Sequence, residues 1–159
     1  MKSPHSKKVK IFLRIRVVSM QNPKWTGKCL CGAITYLVKN DPLMSGCCHC
    51  DDCQRQTGSS FAPLLIFNKN DFSSIGNTLV EFRGTGGSGK SVKRGFCSIC
   101  GTSVFSWYEV TPDFLVVMAG TLDNKLKFLP EWDIYSDQAQ HWIKFPKEHK
   151  VFRSGYGSD

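Results

Sequence analysis

Seven of the eight cysteines fall into three tight groups: Cys29-x-Cys31, Cys48-His49-Cys50-x-x-Cys53, and Cys97-x-x-Cys100 followed by Gly101. Thiolates this close in sequence converge on one small cation without straining the backbone, and four sulfurs at ~2.3 Å from Zn²⁺ make the usual closed structural site. Such near neighbours do not pair comfortably as disulfides. A redox Cys-x-x-Cys pair stands alone at a helix start within alternating strands and helices, a pattern this chain lacks. Ligand counting suggests a partition: Cys29, Cys31, Cys97 and Cys100 make four, and Cys48, Cys50 and Cys53 make three. The sequence thus predicts two zinc sites, one stapling distant parts of the chain. The other keeps a coordination position open, which is how catalytic zinc sites differ from structural ones. His49 could fill that position, but in an extended segment its side chain points away from both flanking cysteines. Cys47 has no spacing partner and reads as a small buried apolar residue.

The elements that must position these ligands are short. From Thr26 onward, alternating apolar stretches broken by Gly, Pro, Asn and Asp predict strands over residues 33–38, 61–67, 79–83, 92–96, 103–108 and 114–119. A turn is expected at 68–71, and one helical turn at 51–57, closed by Gly58. Cys29 and Cys31, two apart on a strand, would share a face, and Gly101 would permit a tight knuckle at Cys97 and Cys100. Trp107, Trp132 and Trp142 are expected to pack in the core or against a sheet. The expected fold is an all-β, mainly antiparallel zinc-binding domain over residues 26–150 with short helical turns. A basic, disordered extension (1–25) would precede it and a C-terminal tail (151–159) follow.

With 159 residues and 41% hydrophobic content, the chain suits one domain whose modest core is reinforced by metal. The net charge of +8 is concentrated in Lys2, Lys7, Lys8, Lys10, Arg14 and Arg16, leaving 15 basic against 13 acidic residues in the remainder. A nucleic-acid face on the folded domain is therefore not expected. Arg14 and Arg16 interrupt the apolar residues 11–15 well short of a signal peptide or membrane span, so reduced thiols and a cytoplasmic location are expected. Gly84-Thr85-Gly86-Gly87-Ser88-Gly89-Lys90-Ser91 fits the G-x-x-x-x-G-K-S nucleotide motif. A phosphate-cradling loop must open a helix, however, and residues 92–96 read as a strand, so nucleotide binding is not expected. The glycines could still let a ligand approach the backbone, with Lys90, Lys93 and Arg94 meeting its carboxylates. Arg55, just after the second group, is another candidate for orienting a carboxylate.

Four ordered motifs carry a wider likeness: Gly27-Lys28-Cys29-Leu30-Cys31-Gly32-Ala33-Ile34-Thr35-Tyr36; residues 48–59, from Cys48-His49-Cys50 to Thr57-Gly58-Ser59; Phe96-Cys97-Ser98-Ile99-Cys100-Gly101-Thr102; and Ala119-Gly120-Thr121-Leu122-Asp123. In these the chain resembles the glutathione-dependent formaldehyde-activating family, also called the centromere protein V family. The resemblance implies a zinc-bearing β fold shared with small Rab-interacting chaperones. It implies a structural zinc on Cys29, Cys31, Cys97 and Cys100, and a catalytic zinc on Cys48, Cys50 and Cys53. It implies carbon–sulfur lyase chemistry, joining glutathione or a similar thiol to formaldehyde or a related aldehyde. One departure is Asp133, where the family commonly has histidine; another is Cys47, beside the second group. The alternative expectation is a non-catalytic zinc module that binds a protein or nucleic acid through the basic extension, in a strongly salt-dependent way.

Overall fold

Residues 62–67 and 115–118 are nearly continuous apolar runs, and such runs become strands covered on both faces. In the computed structural model, which describes Pro23 to Ser158, they form β4 (Ala62–Asn68) and β9 (Phe114–Met118), neighbours at the centre of an eight-stranded sheet. The other strands are β1 (Trp25–Lys28), β2 (Thr35–Val38), β3 (Met44–Cys48), β5 (Phe72–Ile75), β6 (Leu79–Thr85), β7 (Ser91–Cys97), β8 (Ser103–Tyr108), β10 (Trp132–Ile134) and β11 (Lys150–Val151). One α-helix, α1 (Asp51–Thr57), follows β3 and ends at Gly58 in left-handed conformation. The large sheet runs β11-β10-β3-β4-β9-β8-β7-β6, and a three-stranded antiparallel sheet runs β1-β2-β5.

Alternation along the central strands divides the apolar residues between two cores. Leu65, Phe67, Leu115 and Val117 face the small sheet, where Trp25, Ile34, Tyr36 and Val38 meet them. The Tyr36 and Thr121 hydroxyls hydrogen-bond at 2.8 Å, which satisfies two polar groups inside this layer. Ala62, Leu64, Val116 and Met118 face the other way and pack with Trp132, Cys48 and Cys53. Cys29 and Cys97 belong to the first core. The two cysteine groups therefore lie in different layers of the molecule.

Among the described residues the fold is mostly β with one α-helix, as the sequence indicates, but the large sheet is mixed, because β10 pairs in parallel with both β3 and β11. Trp25, assigned by sequence to the extension, opens β1 and is buried. The stretch assigned to the C-terminal tail instead folds back on β10. The Phe152 N–H donates to the Asp133 carbonyl (2.8 Å), and Tyr156 meets Trp132 edge to face at 5.9 Å. Trp107 and Trp132 pack as expected, whereas Trp142 is 58% exposed. The basic segment of residues 1–22 lies outside the described residues. No described helix is long and apolar enough to cross a membrane.

Candidate functional site

Cys29 and Cys31 occupy the turn between β1 and β2 rather than a strand. A left-handed Gly32 (φ 78°) and the Gly32 N–H to Cys29 carbonyl bond (3.0 Å) curl the chain into a knuckle. Gly101 (φ 71°) does the same after Cys97, donating to its carbonyl at 2.8 Å. The Leu30 N–H donates to Thr102 Oγ1 (3.1 Å), tying one knuckle to the other. The sulfurs of Cys29 and Cys31 are 3.6 Å apart, those of Cys31 and Cys97 3.7 Å, and all four lie within 4.8 Å of one another. A tetrahedron with ~2.3 Å metal–sulfur bonds has edges of ~3.8 Å, so these thiols fit one ion without rearrangement. The thiols divide: Cys31, despite a backbone hydrogen bond from Ala33, is pushed up to about 12 by desolvation and its cysteine neighbours, while Cys97 and Cys100 are drawn down. The Thr78 hydroxyl beside Cys97 (3.5 Å) holds that thiol below its ordinary range, and the Thr102 hydroxyl beside Cys100 (3.2 Å) brings that one down to about 5. The Ile34 N–H points at the Cys29 sulfur (3.2 Å).

Cys48 ends β3, Cys50 is the N-cap of α1, and Cys53 lies one turn on, so strand end and helix start aim three sulfurs at one point. The Cys48 and Cys50 sulfurs are 3.4 Å apart, and all three fall within 4.8 Å, again a fit for one metal ion. Without metal, the thiols of Cys48 and then Cys53 donate to Cys50 and hold it far below the ordinary thiol range. The two donors are correspondingly pushed up.

His49 turns the opposite way, as alternation predicts. Its Nε2 meets Asp133 Oδ1 at 2.7 Å, and the other carboxylate oxygen meets His149 Nδ1 at 2.7 Å. Phe61 and Phe145 flank the imidazole at 5.4 and 5.3 Å. Asp133, which stands where the family commonly has histidine, is buried. Cys47 sits opposite Asp133 in the β3–β10 register; burial first, and then the nearby carboxylate, push its thiol up to about 12.

Cys50 opens onto a cleft of about 300 Å³. Asp51 and Asp52 of α1 form one wall, Tyr135 and Gln138 another, and the β6–β7 turn with Gly86 and Gly87 the roof. That turn is the glycine-rich motif. Gly86 N–H donates to the Lys90 carbonyl (2.9 Å), and the chain enters β7 directly, so it is a hairpin tip with no phosphate-facing helix. A second groove of about 350 Å³, sharing Asp52, lies between α1 and the β6–β8 strands. Arg94 and Arg55 line it with Phe82 and Phe96, and both arginines already hold carboxylates. Arg94 pairs with Asp52 (2.8 Å) and donates to Gln56 (3.1 Å), while Arg55 pairs with Asp51 (2.7 Å). Lys90 lies exposed at the hairpin tip and lines neither cavity.

Two tyrosines at this site carry no signal in the sequence. Tyr108 packs beside the three cysteines, and burial first, then charge in that cluster, push its phenol well above the usual range. Tyr135 is the one non-glycine residue with positive φ (56°) among the described residues. Partial burial, then the charges at Cys48, Cys50 and Cys53, raise its phenol too.

Fold and site together define a mostly β, single-domain protein with two thiol clusters, one of four at the edge of the first core with Cys31 exposed and one of three whose Cys50 opens to a cleft. Residues 24–138 match the family described as glutathione-dependent formaldehyde-activating enzyme, and the chain belongs to that family. A Schizosaccharomyces pombe protein described as an uncharacterized lyase is 32% identical over 87 residues, covering 54% of this chain. The chain spans 59% of that relative's length. The crystal structure of a Rhodobacter sphaeroides protein has the same fold, with TM-score 0.51 and 22% identity, covering 66% of this chain and 97% of that one.

Proposed function

We propose that this chain is a zinc-dependent carbon–sulfur lyase-type enzyme that joins a small thiol such as glutathione to formaldehyde or a related aldehyde. The observation that carries this is the three-cysteine cluster whose Cys50 lines a cleft. Family membership and the lyase description of the fission-yeast relative support it. Cys29, Cys31, Cys97 and Cys100 would hold a structural zinc, and Cys48, Cys50 and Cys53 a catalytic one. When bound there, the catalytic ion supplies Lewis acidity and a place for one further sulfur or oxygen, while three thiolates make it a poor acidifier of water.

The protein's own part is orientation. The cleft holds sulfur and carbonyl carbon side by side, which removes much of the entropy cost of bringing two molecules together. Its walls come from α1, the hairpin tip and the turn after β10. Asp51–Arg55 and Asp52–Arg94 flank the opening, so a carboxylate of a peptide-like thiol can exchange with either aspartate on its arginine.

The test is exchange of ¹³C-formaldehyde between its free and thiol-bound forms, followed by two-dimensional NMR with the spontaneous rate subtracted. Wild type should accelerate the exchange, and Cys53→Ser should lose that acceleration along with one zinc per chain. Full activity in a Cys53→Ser protein that has lost its second zinc would sink the proposal.

A further inference from the structure

Tyr135 follows β10 with φ 56° and ψ 46°, a conformation that a bulky residue adopts only where its surroundings over-determine it. Those surroundings are specific. Its N–H donates to the Ser154 carbonyl (2.8 Å), and its own carbonyl accepts from the Gln138 N–H (3.0 Å). The preceding residue, Ile134, is paired with Cys48, so the backbone that places the ring is in register with the strand that delivers a cluster cysteine. The ring packs in the layer that holds Cys48, Cys50 and Cys53 and lines the cleft next to Cys50. Its hydroxyl reaches across the cleft, to 3.9 Å from where a side-chain carbon would sit on Gly87 of the roof.

The cleft needs a group of this kind. Attack by sulfur on a carbonyl carbon leaves negative charge on oxygen, and a preorganised donor at that oxygen speeds the step. Asp51 and Asp52 are acceptors already held by Arg55 and Arg94, and the Gln138 side-chain oxygen accepts the Asp51 N–H (2.9 Å). We propose that Tyr135 is a catalytic residue that donates its phenolic hydrogen to the aldehyde oxygen as the carbon–sulfur bond forms. This rests on the lyase-type reading above. The sulfur lone pair forms the new bond, the carbonyl π pair moves to oxygen, and the phenol proton follows. The phenolate regains a proton from water, balancing the one released when the thiol ionised. One thiol and one carbonyl become one hemithioacetal, with no oxidant or reductant.

The test compares wild type, Tyr135→Phe and Tyr135→Leu in the formaldehyde-exchange measurement, alongside zinc per chain and glutathione affinity by calorimetry. Tyr135→Phe should keep its zinc and bind glutathione within about twofold of wild type, yet lose about tenfold or more of the acceleration. Tyr135→Leu should lose as much. A merely packing role predicts instead that Phe preserves the rate and Leu does not, and that result overturns the assignment while the lyase reading stands. Wild type no faster than zinc-depleted protein overturns the lyase reading and the assignment with it.

Discussion

Asp133 holds an imidazole on each carboxylate oxygen at 2.7 Å and is only 4% exposed, so water cannot replace it. Asp133→Ala leaves one buried and one part-buried ring without their acceptor and should cost about 3 kcal/mol. Asp133→Asn keeps one acceptor and should cost less; urea unfolding midpoints rank the two. Cys50 yields a pH prediction. Because Cys48 and Cys53 donate to it, its folded pKa lies far below that of an ordinary thiol, so in zinc-depleted protein it stays a thiolate as pH falls into the acidic range. Iodoacetamide at mildly acidic pH should therefore label Cys50 ahead of Cys48 and Cys53, as peptide mass mapping would show. The clustered thiols were legible because their spacing brings them together, and the direction of His49 followed from alternation. Its acceptor was not legible, since Asp133 is 84 residues away. Nor was Tyr135, because no residue propensity announces a left-handed tyrosine.

At the scale of elements, β3 shows what pairing can impose on an unpromising sequence. Met44-Ser-Gly-Cys-Cys48 has little intrinsic strand preference, yet it lies between β4 and β10 and carries Cys48 to its site. A Cβ on Gly46 would collide with the Trp132 ring and backbone on β10. Gly46→Ala should thus destabilise by about 1–3 kcal/mol, read as a lower melting temperature. Alternating strands such as β8 were legible within a residue or so, whereas β1, β3, β5, β10 and β11 were not. β5 is mostly exposed with two serines, and β10 and β11 are short strands defined by their neighbours. Cys29 and Cys31 converge as the sequence suggested, but through a glycine-aided knuckle rather than the shared face of a strand.

Across the whole molecule, the division into four thiols and three was readable by counting, but the layers that separate them emerge only from the topology. The four-thiol cluster joins the β1–β2 turn to the end of β7, 66 residues apart between Cys31 and Cys97. Cys97→Ser should therefore lose one zinc and lower the melting temperature by more than about 10 °C, since structural metal binding is coupled to folding. Cys53→Ser should also lose one zinc but melt within a few degrees of wild type; calorimetry with metal analysis separates the two. β7 links these behaviours. It runs from Cys97 past Arg94, which holds Asp52, to the glycine tip that roofs the cleft, roughly 20 Å along at ~3.3 Å per residue, and it is paired with β6 and β8 on its two sides. One strand therefore ends in a thiol of one cluster and carries the roof over Cys50 of the other, so two groups that sit in separate layers share a single rib.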